Sequence, residues 1–124
     1  MKNLFMYACL LMGTQAFASS NGTAVAPDHG AAISARATAL TRTMAQTVQL
    51  DEGQYLKIKQ LNTRMLTAVE DLKARFSADT ELLDQHMAEA QFRYEMELTA
   101  LLRPRQIAVY HEARENMTAL SITR

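Results

Sequence analysis

Apolar side chains recur at helical spacing along most of the chain. Ile33, Ala37, Leu40, Met44 and Val48 step by four, three, four and four, which sets them on one helix face. Thr38, Thr41, Thr43 and Thr47 fall among them and lower the intrinsic helicity of that stretch. A second stripe, Ile58, Leu61, Met65, Ala68, Leu72 and Phe76, predicts a helix from about Glu52. Its period breaks at Ser77–Thr80, where several side chains can cap, so a third helix is expected from Asp79 or Thr80. That helix carries Leu83, Met87, Ala90, Tyr94, Leu98 and Leu101 on one stripe and is long. A fourth is expected from Pro104 through Ile107, Tyr110, Ala113, Met117 and Leu120. No strand alternation competes over a useful length, so the pattern predicts an all-α protein of four helices.

The first eighteen residues stand apart from this pattern. Lys2 precedes nine apolar residues, Leu4–Met12, and "AFA" follows at Ala16–Ala18. A charged start, an apolar run too short to span a bilayer and a small-x-small ending predict a signal peptide cleaved after Ala18, and so export. Ser19–Gly30 lacks periodicity and reads as a flexible tail, leaving 31–124 as one helical domain. Composition agrees: 48% hydrophobic and 21% charged residues make ordinary globular material. Cleavage would remove Cys9, the only cysteine, so no disulfide could brace the exported chain, which would rely on helix packing, a metal or a partner subunit. The near balance of charge argues against a nucleic-acid partner, and no stable membrane insertion is expected.

Two short stretches repeat 52 positions apart: "LDEGQ" from Leu50 and "LRPRQ" from Leu102. In the first, Asp51 can accept from the amide of Gln54 while Gln54 reaches back to the amide of Asp51, a capping box. Leu50 and Tyr55 are placed to form its hydrophobic staple. In the second, Pro104 falls at the first helical position, Gln106 takes the place of Gln54, and Leu102 can close on Ile107. Arg103 stands where Asp51 stood, yet has no acceptor to offer and brings positive charge to the positive end of the helix dipole. By that reasoning Thr or Asp at 103 would stabilise the protein. The motif is explicable as a pair of helix starts; a ligand site is the competing reading.

The two copies of Leu-x-x-x-Gln, each opening a helix, resemble the paired LTxxQ motifs of the Spy and CpxP type of periplasmic proteins, with Asp51 and Arg103 where the family has threonine. The resemblance covers roughly 33–120. It implies four helices in a thin, bent hairpin that pairs with a second copy into a cradle. It also implies ATP-independent binding of unfolded or partly folded proteins, as a chaperone-like holdase, or envelope-stress signalling through a sensor protein. The residues offer a possible surface for such work. Tyr55, Leu56, Leu66 and Val69 on the second helix, and Leu82, Phe92 and Met96 on the third, lie off the main stripes. They would form a second packing face, a homodimer interface or an exposed client surface. Met65, Leu66, Phe76, Phe92 and Met96 are the candidates for the client or dimer surface, because methionine and aromatic side chains suit varied partners.

Charge is segregated: Asp79–Glu97 holds six acidic residues and only Arg93, while most arginines lie elsewhere. That asymmetry can pair helices, steer charged clients, or simply be a solvated face. His111 with Glu115, and His86 with Glu89, could each share a helix face and contribute to a transition-metal site, which keeps a metal-responsive sensor as an alternative. Neither His-x-x-x-His nor a cysteine cluster accompanies them, so no metal or other cofactor is expected. A structural adaptor for one partner is a further alternative. With no Gly-flanked serine and no phosphate loop, the chain is read as a non-enzyme.

Overall fold

The computed structural model describes residues 28–114 and 117–119. The expected signal peptide, its cleavage site and the tail up to Pro27 lie outside the described residues, as do Glu115 and Leu120. Among the described residues the structure is all-helical: α1 His29–Val48, α2 Glu52–Arg75, α3 Thr80–Leu101 and α4 Pro104–Ala113. None of these helices is long and apolar enough to cross a membrane.

Local chemistry fixes where each helix begins. Asp28 accepts from the amide of Gly30 at 3.1 Å and starts α1 at His29, so the helix takes in two residues expected to belong to the tail. Asp51 opens α2, and Asp79 opens α3 by accepting from Leu82 N at 3.1 Å. α3 has 22 residues against 24 for α2, so length does not single it out. The end of α4 departs from expectation: the regular helix stops at Ala113. Met117, Thr118 and Ala119 follow a tighter turn, in which Met117 N donates to Arg114 O at 3.2 Å, and all three are buried.

Packing explains which apolar stripes are used. α2 lies between α1 and α3, and α4 packs back on α1. A helix with neighbours on two sides needs two apolar faces. Ile58, Leu61 and Met65 are therefore buried, and so are Leu66 and Val69 of the additional stripe. Met65 and Leu66 are thus core residues, 4% and 3% exposed, not parts of a client or dimer surface as expected from their types. α3 leans chiefly on α2 and buries one stripe only, through Ala90, Tyr94 and Leu98.

A chain of polar side chains crosses this core. The Tyr94 hydroxyl donates to Asn62 Oδ1, Asn62 Nδ2 donates to Thr41 Oγ1 at 3.0 Å, and Thr41 Oγ1 donates to Ala37 O at 2.6 Å. The three side chains are at most 2% exposed and join α3, α2 and α1. Every polar side-chain atom buried among the described residues has a partner, so the chain fixes helix register without orphaned groups. Burial pushes the Tyr94 phenol above its ordinary value, partly opposed by the Ala119 backbone. Tyr110 is raised as well, first by burial and then by the Glu95 carboxylate, whose Oε1 lies 3.4 Å from its hydroxyl and is held by Arg114 at 2.8 Å.

The buried core stops short of one end of the α2–α3 hairpin: between Val69 and Ala90 no residue is fully buried. That tip is closed by a stack. The rings of Phe76 and His86 lie 4.7 Å apart at 25°, with the Arg75 guanidinium 5.4 Å from the Phe76 centroid.

Asn62→Ala should lower stability by about 2–4 kcal/mol, because it leaves a cavity and deprives Tyr94 and Thr41 of partners at once. Tyr94→Phe should cost less, about 1–2 kcal/mol, and urea denaturation of the two variants would give the order. The raised phenols set an alkaline limit as well. Each folded-state value lies above the unfolded one, so the unfolded chain loses its phenol protons first and stability falls as pH rises past about 10. Absorbance titration near 295 nm should show two tyrosines ionising only as the helical signal is lost.

Candidate functional site

The repeated helix starts meet at the other end of the hairpin. Gln54 and Gln106 face one another as a reciprocal amide pair: Gln54 Nε2 donates to Gln106 Oε1 at 2.8 Å, and Gln106 Nε2 donates to Gln54 Oε1 at 3.0 Å. Each oxygen also accepts from the backbone amide three residues before its own glutamine, Asp51 N at 3.1 Å and Arg103 N at 2.8 Å. Each Nε2 donates across to the turn of the other motif, Gln54 to Leu101 O at 2.8 Å and Gln106 to Gln49 O at 3.0 Å. Both amides thereby fill two donor and two acceptor positions. The relation is two-fold in pattern, since Gln49, Asp51 and Gln54 have their counterparts 52 residues on in Leu101, Arg103 and Gln106.

Gln49 makes this possible by an uncommon backbone. It ends α1 at φ 57°, a left-handed conformation usually left to glycine or asparagine, and so turns its carbonyl toward Gln106. Nothing in its residue type signals that role. Leu50 and Ile107 pack partly buried against the core, and Leu102 is buried. Pro104 occupies the first turn of α4 as expected.

The capping box of α2 forms in full, with Gln54 N donating to Asp51 Oδ1 at 2.8 Å. In α4 only the glutamine half forms, because Arg103 has no acceptor. Arg103 is nevertheless not an ill-fitting cap. Its Nη2 lies 2.8 Å from Asp51 Oδ2, the oxygen that Asp51 leaves unused in capping. Asp51 and Arg103, which occupy equivalent positions in the two motifs, therefore pair with each other across the junction. This corrects the expectation that Thr or Asp at 103 is simply stabilising.

With both glutamine amides fully partnered, the paired motif is built as a fastening between helix ends. Exposed apolar side chains lie elsewhere, chiefly on the outer side of α3. Phe92 is 67% exposed and Met96 58%, and Leu82 also reaches solvent, as does Leu56 on α2. Phe76, placed with them by residue type, is instead half-covered and stacked on His86. Of the possible metal ligands, only His86 and Glu89 can be compared as a pair. His86 Nδ1 approaches Glu89 Oε2 at 3.7 Å, and His111 lies exposed on α4 with its ring 5.5 Å from that of Tyr110. Glu115, its expected companion, is outside the described residues. Among the described residues no three such side chains come together to hold an ion.

Compared with protein-family models, curated proteins and solved structures, the chain matches none.

A charge swap tests the compensating pair. Arg103→Asp alone gains a cap of about 0.5–2 kcal/mol but loses an exposed ion pair and sets two carboxylates together, so its net effect should be near zero. Asp51→Arg alone loses both cap and pair and should destabilise. The double variant, Asp51→Arg with Arg103→Asp, exchanges the two roles and should recover most of that loss in chemical denaturation.

Proposed function

We propose that this chain is an exported, ATP-independent protein-binding protein of the Spy and CpxP type. In this reading it works in the periplasm as a homodimer and holds partly unfolded proteins or modulates envelope stress. The observation that carries it is the outer face of α3, where Phe92 and Met96 stand mostly in solvent on the side opposite the buried Ala90, Tyr94 and Leu98. An exposed aromatic and an exposed thioether one helical turn apart suit a surface that must adapt to varied apolar partners. The joined Leu-x-x-x-Gln starts add support, since they close the base of a helical hairpin while leaving that face uncovered. No bound nucleotide is needed for such work: apolar contact provides the affinity, and release follows when the client buries its own apolar surface.

The test is suppression of aggregation. Purified protein beginning at Ser19 should slow light scattering by a chemically unfolded, unrelated protein without nucleotide. Chelator and added metal should make no difference. Phe92→Ser with Met96→Ser should reduce that protection several-fold while circular dichroism stays helical, since both side chains lie outside the core. Protection that is unchanged in this variant, or absent from the parent protein, would sink the reading; dependence on a metal would favour the sensor.

A further inference from the structure

We propose that the segment Leu120–Arg124 docks as an extended strand in the groove between α2 and the α4-facing side of α3, covering apolar side chains that the helices leave half-open there. The groove has a volume of about 280 Å³ and is lined by Lys73 of α2 and by Leu83, Asp84, Met87, Ala88 and Gln91 of α3. Its apolar wall is an unfinished part of the core. Leu83 and Met87 continue the stripe that carries Ala90, Tyr94 and Leu98, yet both are only half-buried, and full burial on α3 begins at Ala90. An apolar stripe that loses its cover partway along a helix calls for a further piece of chain. The docking is independent of the protein-binding reading, which concerns the outer face of α3.

The chain after α4 arrives at the mouth of this groove. Tyr110 and Arg114 reach Glu95 at 3.4 and 2.8 Å, and the Ala119 backbone is a hydrogen-bond neighbour of the Tyr94 phenol. At about 100° per residue, Asp84, Ala88 and Gln91 share a sector of about 60° with Glu95, so the groove continues the side of α3 that α4 already touches. From the level of Tyr94 to that of Asp84 the helix runs about 15 Å, and the five residues after Ala119 span about 16 Å when extended. Pattern fits as well as length. In an extended strand alternate side chains share a face, so Leu120 and Ile122 turn to Leu83 and Met87 while Ser121 and Thr123 meet water. The branched side chains of Ile122 and Thr123 favour extended backbone. Arg124, on the inward face, comes level with the Asp84 carboxylate, while Lys73 on the other wall has Glu70 3.9 Å away on its own helix.

The protein from Ser19 contains no cysteine, so Thr123→Cys gives a nitroxide spin label one attachment point, on the water-facing side of the segment. Methyl spectra should then lose the signals of Leu83 and Met87 to paramagnetic broadening and keep that of Leu50, at the glutamine end of the hairpin. Leu120→Ser with Ile122→Ser, added to the labelled protein, should restore both signals, and Arg124→Glu should restore them in part. Spin-labelled chains mixed with isotope-labelled chains that carry no nitroxide should leave Leu83 and Met87 sharp. Broadening in that mixture would give the groove to a second copy, and shifts of the two methyl signals on removal of Ser19–Pro27 would give it to the N-terminal tail; either result overturns the inference. So does broadening that is absent, or that persists unchanged in the double serine variant. A failure to protect other proteins from aggregation leaves this outcome untouched, since neither Phe92 nor Met96 enters it.

Discussion

The arrangement depends on one contact, the two-way amide exchange between Gln54 and Gln106. A pair of primary amides satisfies itself only in one geometry, so the glutamines must arrive at the same depth and in opposite senses. Their remaining hydrogen bonds pass that demand to the backbone, reaching the turns after α1 and α3 and the first amides of α2 and α4. Four helix ends are thus held by two side chains. Asp51 and Arg103 lie outside this partly buried pair and add an exposed ion pair, which helps set register and contributes little stability.

From that base the central position of α2 decides the rest. It needs apolar surface toward both neighbours, and the Tyr94–Asn62–Thr41 chain gives the same three helices a polar constraint that apolar packing alone would not impose. α3 has its main neighbour on one side. Its other side meets water, and for that reason Phe92 is exposed while Leu66 is buried.

Much of this was legible in the sequence where the physics is local. Asp51 and Pro104 mark helix starts through contacts within one turn, and the stripes of the second and third helices follow from a fixed angle per residue. What the sequence could not reveal depended on distant partners. Leu66 and Phe92 look alike as secondary apolar positions, and only the number of neighbouring helices separates them. Arg103 looked like a misplaced cap because its partner is 52 residues away. Thr41 lowers helix propensity as an isolated residue, yet buried beside Asn62 it is a link in the core. Asn62 did carry a signal: it is a polar residue in the buried sector of a strongly apolar helix. Met117 lies on the apolar stripe of the fourth helix, but the burial of Thr118 and Ala119 carried no signal, since they lie off that stripe and beyond the end of the regular helix.

The tip of the α2–α3 hairpin gives the molecule a gradient of stiffness. Between Val69 and Ala90 nothing is fully buried, so the amides there are protected mainly by their own helical turns and the Phe76–His86 stack. They can exchange with solvent by fraying, without the core opening, whereas the amides around Asn62 must wait for much larger openings. The hairpin behaves as a cantilever, clamped at the glutamines and compliant at its far end. Leu82 sits on the compliant part and Met96 nearer the clamp. A partner lying along α3 would span both regimes and would damp the motion of the tip.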